Sequence, residues 1–189
     1  HQATHDTLTD LPNRTLLLEQ LTATIDACEA TDVGVGVLLL NVDRFKLVND
    51  SLGHDRGDQL LIAIADALRG TLASGEIVAR FDGDTFAVAV PSLTDATQAL
   101  ELAGRIRARL TGGVMVGADR YTPTMSIGIA IAGPKDAPIT ALRDADTAMY
   151  RAKERGRDRA EWFDPSFHRM NVACFELERE LRLAIERDE

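Results

Sequence analysis

The chain has 189 residues, a length that suits one domain with an appendage. Apolar residues make up 45% and charged residues 27% of it, which excludes disorder of the bulk because a core can be built. A formal net charge of −9 argues against a general nucleic-acid binder, and no apolar run approaches the ~18–20 residues of a membrane span.

Apolar residues that recur every three to four positions predict helices over residues 13–31, 56–72, 94–110 and 139–155. Apolar runs rich in β-branched residues predict strands at 33–42, 76–81, 84–90, 113–117, 124–132 and, at the sheet edge, 159–163. Thr94 is predicted to cap the third helix and Gly156 to end the fourth. The polar residues that follow the first strand are predicted to form a loop.

Asp82 and Gly83 separate two of these strands, and this dipeptide predicts a hairpin turn in which both residues adopt positive φ. Hairpins that alternate with crossover helices favour a mixed sheet with helices on its faces over an all-parallel sheet.

The last stretch of the chain has its own pattern. Asp164 is a candidate cap for a helix that starts at Pro165, and apolar residues follow at spacings of three and four. A helix that packs on its own domain or leads into a following one is favoured over a dimer seam. We therefore divide the chain into a domain over residues 1–163 and a C-terminal helix over 164–189.

Three polar segments are candidates for chemistry. Residues 41–58 are dense in carboxylates and amides just past a strand, where ligands commonly bind in α/β sheets, although a solvated loop explains them equally well. The hairpin adds Asp84, which the topology could bring near Asn41. Lys153 and Arg157 lie one turn apart at a helix end, which is typical of solvated surface but would also suit an anion beside a metal.

Together four segments resemble the GGDEF family, the diguanylate cyclase domains of bacteria. Residues 6–14 resemble its motif D-x-L-T-x-L-P-N-R, and residues 41–58 resemble D-x-D-x-F-K-x-x-N-D followed by G-H and G-D. Residues 80–86, Arg-Phe-Asp-Gly-Asp-Thr-Phe, stand at the signature R-x-G-G-[DE]-E-F. Residues 145–157 resemble A-D-x-A-L-Y-x-A-K-x-x-G-R, so the resemblance spans residues 6–163 in the family's order.

The resemblance implies a five-stranded mixed central sheet flanked by helices, an α/β fold similar to nucleotidyl cyclases, here with an extra C-terminal helix. Active members condense two GTP into cyclic di-GMP across a dimer, with two magnesium ions. The nucleotide-binding positions of the family match Lys46, Asn49, Asp58, Gly83, Lys153 and Arg157, where Asn49 and Asp58 read guanine. Its metal-binding positions match Asp84 and the backbone carbonyl of Val42.

Three catalytic positions depart from the family. The first metal-binding aspartate is Asn41, whose amide oxygen can still ligate magnesium but without the negative charge, which makes it a weakened metal ligand. The signature glutamate that serves as metal ligand or proton acceptor is Thr85. Threonine is no base near neutral pH and is a poor magnesium ligand. Asp82 replaces the first signature glycine and adds bulk and negative charge where a triphosphate approaches. The product-inhibition motif R-x-x-D is also missing, since residues 73–76 read Ala-Ser-Gly-Glu.

Three functions stay open. The favoured one is a catalytically inactive, regulatory domain that binds GTP. The second is a working cyclase in which Asp82 supplies a lost carboxylate, and the third is an interaction or dimerisation module that binds no nucleotide. Magnesium is expected only together with GTP.

The setting of the domain is a separate expectation. Residues 167–189 resemble the helix that leads into an EAL phosphodiesterase domain, so an EAL neighbour is the expected partner and a second copy of the chain a further candidate. Because the chain begins at His1, we expect a longer protein that could carry a membrane anchor elsewhere. Cys28 and Cys174 are expected to be reduced, and this domain to lie in the cytoplasm without membrane or nucleic-acid contact.

Overall fold

The computed structural model describes residues 3–28, 33–93 and 95–165. The helices are α1 (Arg14–Cys28), α2 (Phe45–Leu52), α3 (His54–Arg69), α4 (Ala96–Thr111) and α5 (Pro138–Glu154). The strands are β1 (Gly34–Val42), β2 (Ile77–Asp82), β3 (Thr85–Leu93), β4 (Val114–Val116), β5 (Asp119–Tyr121), β6 (Met125–Ala132) and β7 (Arg159–Trp162).

The central sheet has five strands in the order β2-β3-β1-β6-β7. Its pairs are antiparallel except β6 and β7, which run parallel, so the predicted mixed sheet is confirmed. Strand β1 lies in the middle and is buried along nearly its whole length, as its unbroken apolar run predicts. The functional segments that follow β1 therefore start from the most rigid part of the sheet.

Helices cover both faces of this sheet. One core packs α3 and α4 against Leu38 and Leu40 of β1, and the other packs α1 and α5 against Val37 and Leu39. This alternation along β1 is the period of two expected for a strand. At Gly128 of β6 a side chain would overlap the backbone of α5, so glycine is what lets α5 approach the sheet closely.

The residues after β1, predicted to form a loop, contain a helix instead. Phe45 and Val48 lie one turn apart and both pack against the core, which is enough to hold the eight-residue α2. Gly53, with φ +85°, ends α2 before α3 begins. The prediction failed because a helix of two turns is too short for its period to stand out among many Asn and Asp residues.

Two smaller predictions are also corrected. The N-cap of α4 is Asp95, whose Oδ1 accepts hydrogen bonds from the backbone N–H groups of Thr97 and Gln98 at 2.7 and 3.1 Å. Thr94 lies outside the described residues. Strand β5 was not predicted; it pairs with β4 in a separate two-stranded sheet.

Two predictions at the end of the domain are confirmed. Helix α5 ends just before Gly156, which has φ +108°, and β7 forms the edge strand. Cys28 is buried in the core, as a packing residue should be. The helix predicted beyond Pro165, Cys174 within it and the domain boundary it implies lie outside the described residues. In the part that is described, no helix combines the length and apolarity needed to cross a bilayer.

Candidate active site

Four segments meet at one end of the sheet. The end of β1 carries Asn41, and in the register of the strands it lies directly opposite Thr85 of β3. The turn between β2 and β3 adds Asp84, and the backbone N–H of Val42 donates to the Asp84 carbonyl oxygen at 3.1 Å. Helix α2 and the end of α5 flank this point, so the predicted proximity of the hairpin to the end of β1 is confirmed.

Asn41 links the two hairpin side chains. Its Nδ2 donates to Asp84 Oδ1 at 2.9 Å and to Thr85 Oγ1 at 3.0 Å. The side chain of Asn41 is 8% exposed, because β1 is central in the sheet. Both hydrogens of the Asn41 amide are therefore used as donors. The contacts also show that the nitrogen and not the oxygen of the amide faces Asp84, since the carboxylate would repel a carbonyl oxygen.

The turn of the hairpin differs from the one predicted. Asp82 belongs to β2 and lies opposite Thr85, and the two residues between the strands are Gly83 and Asp84. Of the predicted pair only Gly83 has positive φ, at +48°. The register is irregular between Arg80 and Asp82, and this irregularity moves the turn one residue along the chain. Asp82 is exposed on the strand and not at the tip.

An arginine clamps this turn. Arg80 donates from Nε and Nη2 to the carbonyl oxygen of Gly83 at 3.0 and 2.8 Å, and from Nη1 to both carboxylate oxygens of Asp6 at 2.9 and 3.1 Å. Burial alone would raise the pKa of Asp6, but hydrogen bonds from Thr9 and Arg80 outweigh it and lower the pKa. The N-terminal segment is thereby tied to the signature hairpin, a link that sequence reasoning missed.

Asp43 ties the end of β1 to two other elements. Its carboxylate accepts hydrogen bonds from Ser126 Oγ at 2.6 Å, Thr124 Oγ1 at 2.8 Å and the backbone N–H of Asp158 at 3.1 Å. Asp158 and the preceding Arg157 both have positive φ, at +44° and +64°, a conformation that costs free energy without glycine. Asp43 therefore holds the strained turn that carries Arg157, and this role was not predicted.

Helices α2 and α3 bring Asn49 and Asp58 into one region. A side chain at Gly57 would overlap Asn49 Oδ1, so the absence of a Cβ is what allows Asn49 to lie against the first turn of α3. The oxygen Asn49 Oδ1 is buried and has no hydrogen-bond partner among the described residues. Asp58 follows Gly57 on α3 and is exposed.

Three cations surround the end of the sheet. Lys46 and Arg157 are exposed and Lys153 is half-buried, and within the described ranges none of these side chains is paired with a carboxylate. A cavity of about 380 Å³ lies between the hairpin and α5, bordered by Thr85 and Met149. A neighbouring cavity of about 300 Å³ shares Met149 and reaches Lys153.

Residues 3–159 match the model of the family described as "Diguanylate cyclase, GGDEF domain". The chain belongs to the GGDEF family. That match covers β1 to β6, the signature hairpin and α5, and it confirms the family and the fold inferred from the four motifs.

Curated relatives and solved structures agree. The diguanylate cyclase TpbB of Pseudomonas aeruginosa is 40% identical over 83% of this chain and 37% of its own length. The cyclic di-GMP phosphodiesterase NbdA of the same organism is 33% identical over 99% of this chain and 24% of its own length. The solved GGDEF domain of TpbB superposes with a TM-score of 0.83 at 34% identity, over 89% of this chain and 99% of that one. The chain thus spans well under half of these full-length relatives.

The residues at this GGDEF site do not fit a magnesium ion. Magnesium takes oxygen ligands, with carboxylates among them. Asn41 instead turns its amide hydrogens toward Asp84, and the carboxylate of Asp43 is occupied by other donors. Among the described residues no three His, Cys, Asp or Glu side chains are placed to hold a metal. The roles expected for Val42 and Asp84 as metal ligands stay predictions.

Proposed function

We propose that this chain is a catalytically inactive GGDEF domain that binds GTP and serves a regulatory role in cyclic di-GMP signalling. The observation that carries the proposal is the contact of Asn41 with both Asp84 and Thr85. Where active members need carboxylates to hold cations and accept a proton, Asp84 and Thr85 both accept hydrogen bonds from Asn41.

The missing base argues most strongly against catalysis. A general base needs a pKa near the working pH, and the hydroxyl of Thr85 ionises far above it. Thr85 Oγ1 also accepts a hydrogen bond from Asn41, so its lone pair is partly engaged. Loss of one such group typically costs ~10²–10⁴ in rate, and the losses at neighbouring positions need not add.

Retention of the nucleotide rests on a different part of the site. Asn49 Oδ1 is buried and has no hydrogen-bond partner among the described residues, which costs about 1–3 kcal/mol. A movement of the Asn49 side chain that brings this oxygen to an N–H donor of a ligand would recover that free energy. Guanine offers two such donors on its edge, and the carboxylate of Asp58 on the adjoining helix would accept from the same edge. Lys46, Lys153 and Arg157, which pair with no carboxylate in the described part of the chain, supply positive charge for phosphates.

The proposed setting is a cytoplasmic GGDEF–EAL tandem. The similarity to the phosphodiesterase NbdA runs over 99% of this chain, whereas the similarity to the cyclase TpbB covers 83%. The match to the phosphodiesterase therefore extends over residues that the cyclase match leaves out. A second copy of the chain remains the other proposed partner.

Two measurements on the purified chain test the function. With GTP and magnesium or manganese, we expect no cyclic di-GMP above the rate of a blank. Product formation that Asp84→Ala abolishes would instead establish an active, remodelled cyclase.

The second measurement is calorimetric titration with GTP. We expect saturable binding that Asn49→Ala removes, because this variant deletes the buried acceptor without adding charge. ATP is the matched control ligand, since it carries the same phosphates on a different base. The absence of binding heat at millimolar GTP would reject nucleotide binding and favour an interaction module.

A further inference from the structure

We infer that the amide of Asn41 takes the place of the metal ion in this site, so that guanine nucleotides bind here without a divalent cation. The statement about nucleotides rests on the proposed function. The statement about the cation does not, because it concerns Asn41, Asp84 and Thr85 alone.

The first step is the position of the amide. Nδ2 lies 2.9 Å from Asp84 Oδ1 and 3.0 Å from Thr85 Oγ1, so it sits between the side chains at two of the family's metal and catalytic positions. A magnesium ion on Asp84 would lie at ~2.0–2.1 Å from a carboxylate oxygen. An ion on Oδ1 from the side of β1 would therefore collide with the NH₂ group that now occupies that direction.

The second step is that the amide cannot easily leave. Asn41 is 8% exposed and lies on the central strand, where its backbone is paired on both sides. Turning the amide over to present Oδ1 to a cation would break both hydrogen bonds at once. It would also leave the amide hydrogens without the two acceptors that they now use.

The third step is charge. An amide N–H donor satisfies a single carboxylate, but it does not neutralise two or three of them as a divalent ion does. The site matches this limited capacity: Asp43 is already satisfied by Ser126, Thr124 and the Asp158 N–H. Asp84 is the carboxylate that the amide satisfies, while Asp82 is exposed to solvent on β2.

The consequence concerns the nucleotide. In a GGDEF site that uses magnesium, the cation carries part of the phosphate charge, and its removal weakens binding. Here the phosphates would be held by side chains alone, by Lys46, Lys153 and Arg157. Affinity for GTP should then be the same with EDTA as with millimolar magnesium, within about twofold.

The experiment compares the wild-type chain with Asn41→Asp, which has nearly the same shape and restores a carboxylate. Binding of Mn²⁺ without nucleotide is followed by electron paramagnetic resonance. We expect at least tenfold tighter Mn²⁺ binding in Asn41→Asp than in the wild type. Equal binding in the two proteins, or none in either, overturns the inference, because Asn41 would then not decide whether a cation is held.

A second readout guards against a variant that folds poorly. In EDTA, Asn41→Asp brings two carboxylates together, so we expect its Tm to fall. Magnesium should restore the Tm of this variant, whereas the Tm of the wild type should not change with magnesium. Asn41→Ala is the matched control, since it removes the amide without adding charge, and its Tm should respond to magnesium less than that of Asn41→Asp. A wild-type Tm that rises with magnesium overturns the inference whatever the variants do.

The titration of wild-type chain with GTP separates the two claims. If GTP binds equally in EDTA and in magnesium, both stand. If GTP binds only with magnesium, the inference fails while the proposed function survives. If GTP binds under neither condition, nucleotide binding fails, and the Mn²⁺ measurement still decides whether Asn41 replaces the cation.

Discussion

The two halves of the candidate site are built on opposite principles. In the hairpin half, polar side chains at the end of β1 and in the β2–β3 hairpin stand at the family's metal-binding and catalytic positions: Asn41, Asp82, Asp84 and Thr85. In the nucleotide half, polar side chains of α2, α3 and the end of α5 surround the same end of the sheet: Lys46, Asn49, Asp58, Lys153 and Arg157.

In the hairpin half the polar side chains form hydrogen bonds within the half, whereas among the described residues of the nucleotide half they do not. Asn41 donates hydrogen bonds to both Asp84 and Thr85, so a cation has to break existing hydrogen bonds to enter. Asn49 Oδ1 is buried without a partner in the described part of the chain, and the cations there are unpaired with carboxylates. Under the proposed function, catalysis is lost while nucleotide binding is kept, because the two depend on different segments of one fold.

The largest effect should come from reopening the hairpin half. We expect Asn41→Asp, Asp82→Gly and Thr85→Glu combined to raise cyclic di-GMP formation by ~10² or more, because they restore two acidic groups and the approach to the phosphates. Chromatography of the nucleotide product measures it. Adding Asp84→Ala to the triple variant should return the rate to background. If the triple variant forms no more product than the wild type, other positions of the site also prevent catalysis.

Gly57→Ala tests the nucleotide half. Its methyl group would overlap Asn49 Oδ1 and press on Phe45, so we expect GTP affinity to fall by more than tenfold and the free energy of unfolding by about 1–3 kcal/mol. Gly104→Ala on α4 is the matched control, since nothing lies within 4 Å of the added carbon. That change should stabilise the protein by about 0.5–1 kcal/mol. Equal effects of the two changes would refute the packing argument.

Asp43→Ala breaks the support that the two halves share. It leaves the buried hydroxyl of Ser126 and that of Thr124 without their acceptor, which should cost about 1–3 kcal/mol in the free energy of unfolding. Hydrogen exchange of the Asp158 amide should also speed up, because Asp43 accepts its N–H. An exchange rate that stays at the wild-type value would show that the Arg157 turn does not depend on Asp43.

Arg157→Ala tests the charge of the nucleotide half. We expect GTP affinity to fall about tenfold while guanosine affinity stays the same, since the lost contact is with phosphate. Calorimetry with both ligands makes the comparison. Arg109→Ala, an exposed residue on α4, is the charge-matched control and should change neither. A parallel loss for guanosine would assign Arg157 to folding and not to phosphate binding.

The smallest effect is the pH dependence of the Arg80 clamp. Because the pKa of Asp6 is lowered in the folded protein, its contribution to stability is present above the ordinary carboxyl pKa and is lost as the pH falls through the lowered value. Urea unfolding at neutral and acid pH, compared between wild type and Asp6→Asn, measures this part. Identical pH profiles of the two proteins would show that Asp6 does not contribute to the pH dependence of the free energy of unfolding.

Local sequence determined the elements whose signals are strong. The apolar run of β1, the long periodic helices and Gly156 at the end of α5 each depend on neighbours in sequence, so they were predictable. Elements whose sequence signals are short or compete with others were not predictable. Helix α2 is held by packing of Phe45 and Val48 on the core, and the hairpin turn is shifted by an irregular register that no local rule contains.

By itself the sequence determined the family, the mixed sheet and the positions at which charge was lost or gained, because these follow from residue identities and their spacing. Only the tertiary structure decided what those changes do. The register of β1 with β3 sets Asn41 opposite Thr85, and the turn then brings Asp84 to the same amide. Hydrogen bonds between residues more than forty positions apart depend on that register. In the sequence Asn41 is only the loss of a charge, whereas in the structure it donates to Asp84 and Thr85.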